Sequence, residues 1–135
     1  MKRLALSLAA FIIFLTPPLK ANAQEPELRM MRATAYIGDS EWTYSGAHVR
    51  PGIAAMRKED IGKTAIVYQR LPGNEIGEVI GIYEIEDTGS AKGVANGNVI
   101  DIWYPDLDGC QSLMNRVYED GCQGKVFVQV LEAKG

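Results

Sequence analysis

Glu84-Ile-Glu-Asp87-Thr-Gly89-Ser-Ala-Lys92-Gly93-Val-Ala-Asn-Gly97-Asn-Val99-Ile-Asp101-Ile-Trp103-Tyr104 is the stretch on which the reading of this chain turns. Asp87 and Asp101 each stand at the edge of an apolar, strand-like run. Between them lies a small-residue segment that carries Gly89, Gly93 and Gly97. Two acids on separate strands, with small residues between them, can meet at one mouth with open backbone around it. Such a mouth suits chemistry on a bulky polar ligand such as a glycan.

Working outward, Gln24 to Leu28 is a polar lead-in, and Met30 to Ile37 alternates and is rich in β-formers, which predicts a strand. Thr64 to Gln69, Glu78 to Glu86, Val99 to Tyr104 and Lys125 to Leu131 predict four more, and Leu71-Pro-Gly-Asn74 a turn. Gly38 to Gly52 shows little periodicity and reads as a long loop, of the kind that is usually functional or mobile. Five to six short strands without a βαβ rhythm, plus one short helix, indicate a small, mainly β barrel in a single domain.

The ends narrow the function class. Lys2 and Arg3 precede an apolar run from Leu4 to Leu15 and the small-residue site Ala21-Asn-Ala23, the pattern of a secretory signal peptide over residues 1–23. The run is short of the roughly 20 apolar residues a spanning helix needs, so an uncleaved anchor is the weaker alternative. The domain then occupies residues 24–135, outside the cytoplasm, in the periplasm or cell wall. The excluded segment holds three cations and no acid, leaving eleven cations against seventeen acids, a balance of −6. An acidic domain without basic blocks is a poor partner for nucleic acid or an anionic membrane. Neutral polymers and small ligands stay open.

Cys110 and Cys122 each follow an Asp-Gly pair, in a compartment where oxidation is permitted. Cys110, Leu113, Met114, Val117 and Tyr118 recur at helical spacing, so a short helix lies between the thiols. A straight helix over all twelve steps would hold the Cα atoms about 18 Å apart, whereas a disulfide needs roughly 5.5 Å. A Cys110–Cys122 bridge is the expectation, with the helix trimmed to about two turns and Asp120-Gly121 folding the chain back. Two thiols and the distant His48 do not make a metal set.

Arg32-Ala-Thr-Ala-Tyr36, then Ser45-Gly46 and Gly52-Ile-Ala-Ala55, then Ile61-Gly-Lys-Thr64, and above all Asp87-Thr-Gly-Ser-Ala-Lys-Gly93 leading to Val99-Ile-Asp-Ile-Trp103, resemble the 3D (three-aspartate) domain family. The resemblance runs from about Arg32 to Val130. It implies a six-stranded double-psi β-barrel related to the catalytic barrel of lytic transglycosylases of the membrane-bound A type. Such enzymes cleave peptidoglycan between N-acetylmuramic acid and N-acetylglucosamine without adding water, leaving a 1,6-anhydro end. By position Asp101 matches the catalytic acid/base, and Asp87 the Asp of the Asp-Thr-Gly element. Tyr36, Ser45, Thr88, Gly89 and Lys92 are the candidate substrate contacts. No cofactor or metal is implied, the partner is the glycan strand, and a monomer is expected. One position departs: where the family carries its first aspartate, after the strand matching Ile53-Ala54-Ala55, this chain has Met56, with Asp60 four residues on.

The chemistry is consistent from below. Breaking a glycosidic bond requires a proton on the leaving oxygen, and ordinary glycosidases add a second carboxylate. When the sugar's own hydroxyl attacks, one acid can serve first as donor and then as base. A neighbouring carboxylate keeps that acid protonated by like-charge repulsion, and Lys92 would oppose this if close. Plainer readings stand beside these. Asp87 can simply start a turn, Asp101 can be a solvated outer-face residue opposite Ile100 and Ile102, and Trp42, Tyr44, Trp103 and Tyr104 can be rim packing. Two other functions are open: a non-catalytic wall-binding barrel of the expansin-like kind, supported by Met56, and a secreted interaction domain.

Overall fold

The computed structural model describes residues 27–38, 42–89 and 91–133; the expected signal peptide lies outside them. Six strands, β1 (Glu27–Tyr36), β2 (Ile53–Ala55), β3 (Thr64–Leu71), β4 (Glu75–Asp87), β5 (Val99–Trp103) and β6 (Lys125–Leu131), close into a barrel in the order β1-β5-β2-β4-β3-β6. Two helices accompany them where one was expected: α1 (Lys92–Ala95), a single turn, and α2 (Leu107–Val117).

Alternation closes the barrel. Val126, Val128 and Val130 of β6, Ala65 and Val67 of β3, and Ile100 and Ile102 of β5 turn inward and are buried, together with Met31, Ala33 and Met56. The intervening residues form the outer surface. The pairing has an internal two-fold. β1 runs parallel to β5 as β4 does to β2, and β1 is antiparallel to β6 as β4 is to β3. The β2–β5 and β3–β6 pairs are antiparallel and map onto themselves. Exchanging each strand with the one three places on returns the same barrel, and the two crossed parallel pairs are the psi arrangement expected above.

The turn from β3 to β4 takes Gly73 and Asn74 through positive φ (78° and 61°), as its Pro-Gly-Asn sequence predicts. α2 starts earlier than its apolar spacing suggests, because Asp106 caps it by accepting a hydrogen bond from Gly109 N–H at 2.9 Å. Leu113 and Val117 then bury against the barrel.

The expected disulfide is not formed: Cys110 and Cys122 are both free. From Cys110 the helix does run only about two turns, to Val117, but a 3₁₀ turn, Glu119–Gly121, follows and Cys122 finds another partner. Cys122 instead donates its thiol to the Arg70 carbonyl at 2.7 Å, while Arg70 returns a hydrogen bond to the Cys122 carbonyl at 3.1 Å.

Asp60 fastens one end of the barrel. Its carboxylate is fully buried and takes a forked pair of bonds from Arg29 on β1 (2.7 and 3.0 Å), one from Arg57 (2.9 Å) and one from Lys63 (3.4 Å). Burial alone would raise its pKa, but the bonds and charges of Arg29 and Arg57 outweigh burial and hold it below the usual range. A depressed native pKa means this stabilisation is present at neutral pH and is lost as the pH falls through the native value. Asp60→Asn, which removes the one carboxylate that Arg29, Arg57 and Lys63 share, is expected to cost about 3 kcal/mol. The measurement is the urea midpoint at pH 7, and the gap from the parent chain should narrow as the solution is acidified.

Candidate functional site

The two sequence-marked aspartates are neighbours across a single residue. Ala55 of β2 pairs with Asp101 on one side and with Asp87 on the other, and Asp101 pairs in turn with Thr34 of β1. The row Asp87–Ala55–Asp101–Thr34 therefore crosses four strands at one level. With strands about 4.8 Å apart, the two acids' backbones lie about 10 Å apart, on either side of Ala55. The row lies on the outside of the barrel wall, not at its mouth, because Ala54 and Met56 on one side and Ile100 and Ile102 on the other take the inward positions.

Asp87 reaches this face only through a bulge. In β4, Ile85 pairs with Ala54 and Asp87 with Ala55, so Glu86 is an extra residue between two that oppose neighbours on β2. Plain alternation from buried Ile85 would turn Asp87 into the core; the bulge re-aims it. The loop before β2 fixes the result. Ser45 N–H donates to the Glu86 carbonyl (3.1 Å) and its hydroxyl to the Glu86 carboxylate (2.7 Å), while Tyr44 N–H donates to Asp87 Oδ1 (3.1 Å). Thr88 N–H also donates to Asp87 Oδ1 (2.9 Å), and the Tyr36 hydroxyl to Oδ2 (3.1 Å).

That loop has more order than its composition suggests. Trp42 and His48 form a β-bridge with ring centroids 3.9 Å apart. Thr43 closes the turn between them, its N–H donating to the Ala47 carbonyl (2.8 Å) and its hydroxyl accepting from Ala47 N–H (3.2 Å). Arg50 then ties the segment to Glu84 at 2.6 Å.

The acids are unequal. Asp101 is half-buried and accepts one bond, from the Thr34 hydroxyl at 2.7 Å. Its carboxyl is held above the ordinary Asp value, first by burial and then by the charge of Asp87, with the Thr34 bond pulling the other way. Tyr36 is likewise pushed well above the usual phenol range, by burial, by the charge and bond of Asp87, and by Asp101. Its hydroxyl is therefore a fixed donor at working pH, within the field of both carboxylates.

Of the sequence candidates, Tyr36, Ser45 and Thr88 meet at Asp87 and the adjoining Glu86. Gly89 follows Thr88 and is half-buried. Lys92 does not join them: it is exposed at the start of α1 and is paired with neither acid. Asp60 does not stand in for the absent first aspartate. Its partner Arg29 lies five residues from Thr34 along β1, about 17 Å away, and Met56 is wholly inside the core. Thr34 was missed as a functional residue, although its two-residue spacing from Tyr36 was the available signal.

The opposing influences on Asp101 can be separated. Thr34→Val removes the bond that stabilises the carboxylate and should raise the Asp101 pKa further, whereas Asp87→Asn removes the facing charge and should lower it. Carbon-13 NMR titration of the carboxyl reads both; shifts in the same direction would contradict this geometry. No model of a known protein family matches the chain, and none of the curated proteins compared with it does.

Proposed function

We propose that the protein is a lytic transglycosylase acting on peptidoglycan outside the cytoplasm, with Asp101 as the proton carrier and Asp87 as its electrostatic neighbour. The observation that carries this reading is Asp101 itself: a half-buried carboxyl, held above its ordinary pKa, facing a second carboxylate on an accessible strand surface. It joins the sequence resemblance to the three-aspartate domains, which rests on the same two acids.

In this reading the glycan lies along the outer face of β1 and β5. Protonated Asp101 gives its proton to the oxygen linking N-acetylmuramic acid to N-acetylglucosamine, and the bond from the muramic C1 to that oxygen breaks. The 6-hydroxyl of the same muramic residue attacks C1, and the Asp101 carboxylate accepts the hydroxyl proton. The acid is regenerated, a 1,6-anhydro ring is formed and no water is consumed. Tyr36 and Trp103, paired one step along the strands from Thr34 and Asp101, offer aromatic surface to a sugar ring.

A second reading has its own support. Met56 fills the core where the family's first aspartate would stand, and Asp60 is committed to a cation cluster at the other end of β1. A barrel with two of three acids is also a glycan-binding module without turnover.

Incubation of the purified protein with peptidoglycan, followed by mass spectrometry, separates the two. Anhydro-muropeptides are expected; binding in a pull-down without them assigns the protein to the second reading. Asp101→Asn should lower the rate by about 10³-fold, within the usual worth of a general acid. The rate should fall as the pH rises through the Asp101 pKa, and Asp87→Asn should move that descending limb to lower pH.

A further inference from the structure

The outer face that carries Asp101 and Thr34 continues along β1 and β5 to Arg32 and Val99, which pair with each other one step back. There the surface changes sign. Arg32 also faces Lys125 across the β1–β6 pair, so two cations stand directly opposite each other, an arrangement that costs stability when nothing neutralises it. Among the described residues neither has an acidic partner. This is not for want of carboxylates, since Arg29, Arg50, Arg57, Lys63 and Arg116 each sit on one. Arg32 and Lys125 instead line an open cavity of about 280 Å³, with Asn98 and Val99 at its side. The backbone there is held firmly: Arg32 N–H donates to the Asn98 carbonyl at 2.9 Å, and Asn98 N–H to the Gly93 carbonyl at 2.9 Å. Two cations without an acidic partner among the described residues, at a concave, fixed surface of an acidic protein, form a receptor for an anion. A guanidinium fork beside an ammonium suits a carboxylate.

Position decides which carboxylate. Two residues along a strand is about 7 Å, so an occupant of this cavity would be joined to whatever lies at Asp101 by a short branch. We propose that Arg32 and Lys125 form a subsite for a carboxylate on a side branch of the polymer whose backbone lies at Asp101. On a peptidoglycan strand that branch is the acidic stem peptide, and to this extent the proposal rests on the function proposed above. The subsite makes the protein a reader of peptide-bearing glycan, with the branch setting which linkage is presented to Asp101.

Two titrations separate the subsite from the reading it rests on. In the first, the stem peptide alone, released from the wall by an amidase, is added to the purified protein while amide shifts are followed by NMR. Movement is expected at Arg32, Asn98, Val99 and Lys125, fading as salt is raised and lost in an Arg32→Gln/Lys125→Gln double variant. That variant relieves a like-charge pair and should unfold at no lower temperature than the parent. No movement at these residues, or the same movement in a folded double variant, overturns the subsite. In the second, binding to peptide-bearing strands is compared with binding to strands stripped of peptide. About tenfold tighter binding to the former is expected, with the difference absent in the double variant. Equal binding to both overturns the subsite and leaves the glycan reading standing. Binding of the peptide with no binding of stripped glycan leaves the subsite standing and overturns the glycan reading.

Discussion

A closed barrel of six short strands has an interior that admits only apolar side chains, and the rest of this molecule follows from that constraint. Alternate residues are committed to the core where strands line it, as Val126, Val128 and Val130 are on β6. Any chemistry must therefore sit on the outer face. It must also be sheltered there by something other than the core. Here the shelter comes from Tyr36, the bulged end of β4 and the folded loop from Trp42 to Gly52. The fully buried carboxylate, Asp60, is tolerated because three cations surround it. Asp101 has no such company. It is half-buried with one hydroxyl donor, and this imbalance holds its carboxyl above the ordinary Asp value.

The bulge at Glu86 converts a sequence pattern into a site. Without it the Asp-Thr-Gly element would turn its acid inward and Asp101 would stand alone beside Ala55. With it, Asp87 and Asp101 flank a methyl group on a shared face, and the same segment presents Glu86 to Ser45. Small residues at this crossing are a packing requirement: Ala55 is nearly buried between two acids, and a larger side chain would separate them.

Much of the barrel was legible because alternation is strong where one face is buried. β6 and β5 read almost to their ends for that reason. β2 was not legible from its own residues, since Ile53, Ala54 and Ala55 are all buried and three residues cannot display a period; only the resemblance pointed to it. The loop that walls the site looked irregular because its order comes from a Trp42–His48 ring contact and the Thr43 hydroxyl, neither of which has a periodic signature. The two acids were legible as residues but their shared face was not, because a bulge is a property of pairing. The cysteine spacing misled for a related reason. The helix past Cys110 is as short as a bridge requires, but the backbone of Arg70, far away in sequence, offered Cys122 another partner. Thr34 lay in plain view, but its role depends on a strand that pairs with it from sixty-seven residues away.

The internal two-fold of the barrel bears on the site in a way that concerns ancestry of form more than chemistry. The exchange of β1 with β4 and β2 with β5 carries the strands of the row Asp87–Ala55–Asp101–Thr34 onto one another in reverse order. The row is thus its own mirror partner in strand topology, with each half occupied differently. Two identical half-length chains could close the same barrel, but they would have to carry the same residue at both central places, either two facing acids or none. Joining the halves in one polypeptide is what permits an acid on one side of the axis and a methyl on the other. A lopsided site on a symmetric frame is something only the fused chain can encode.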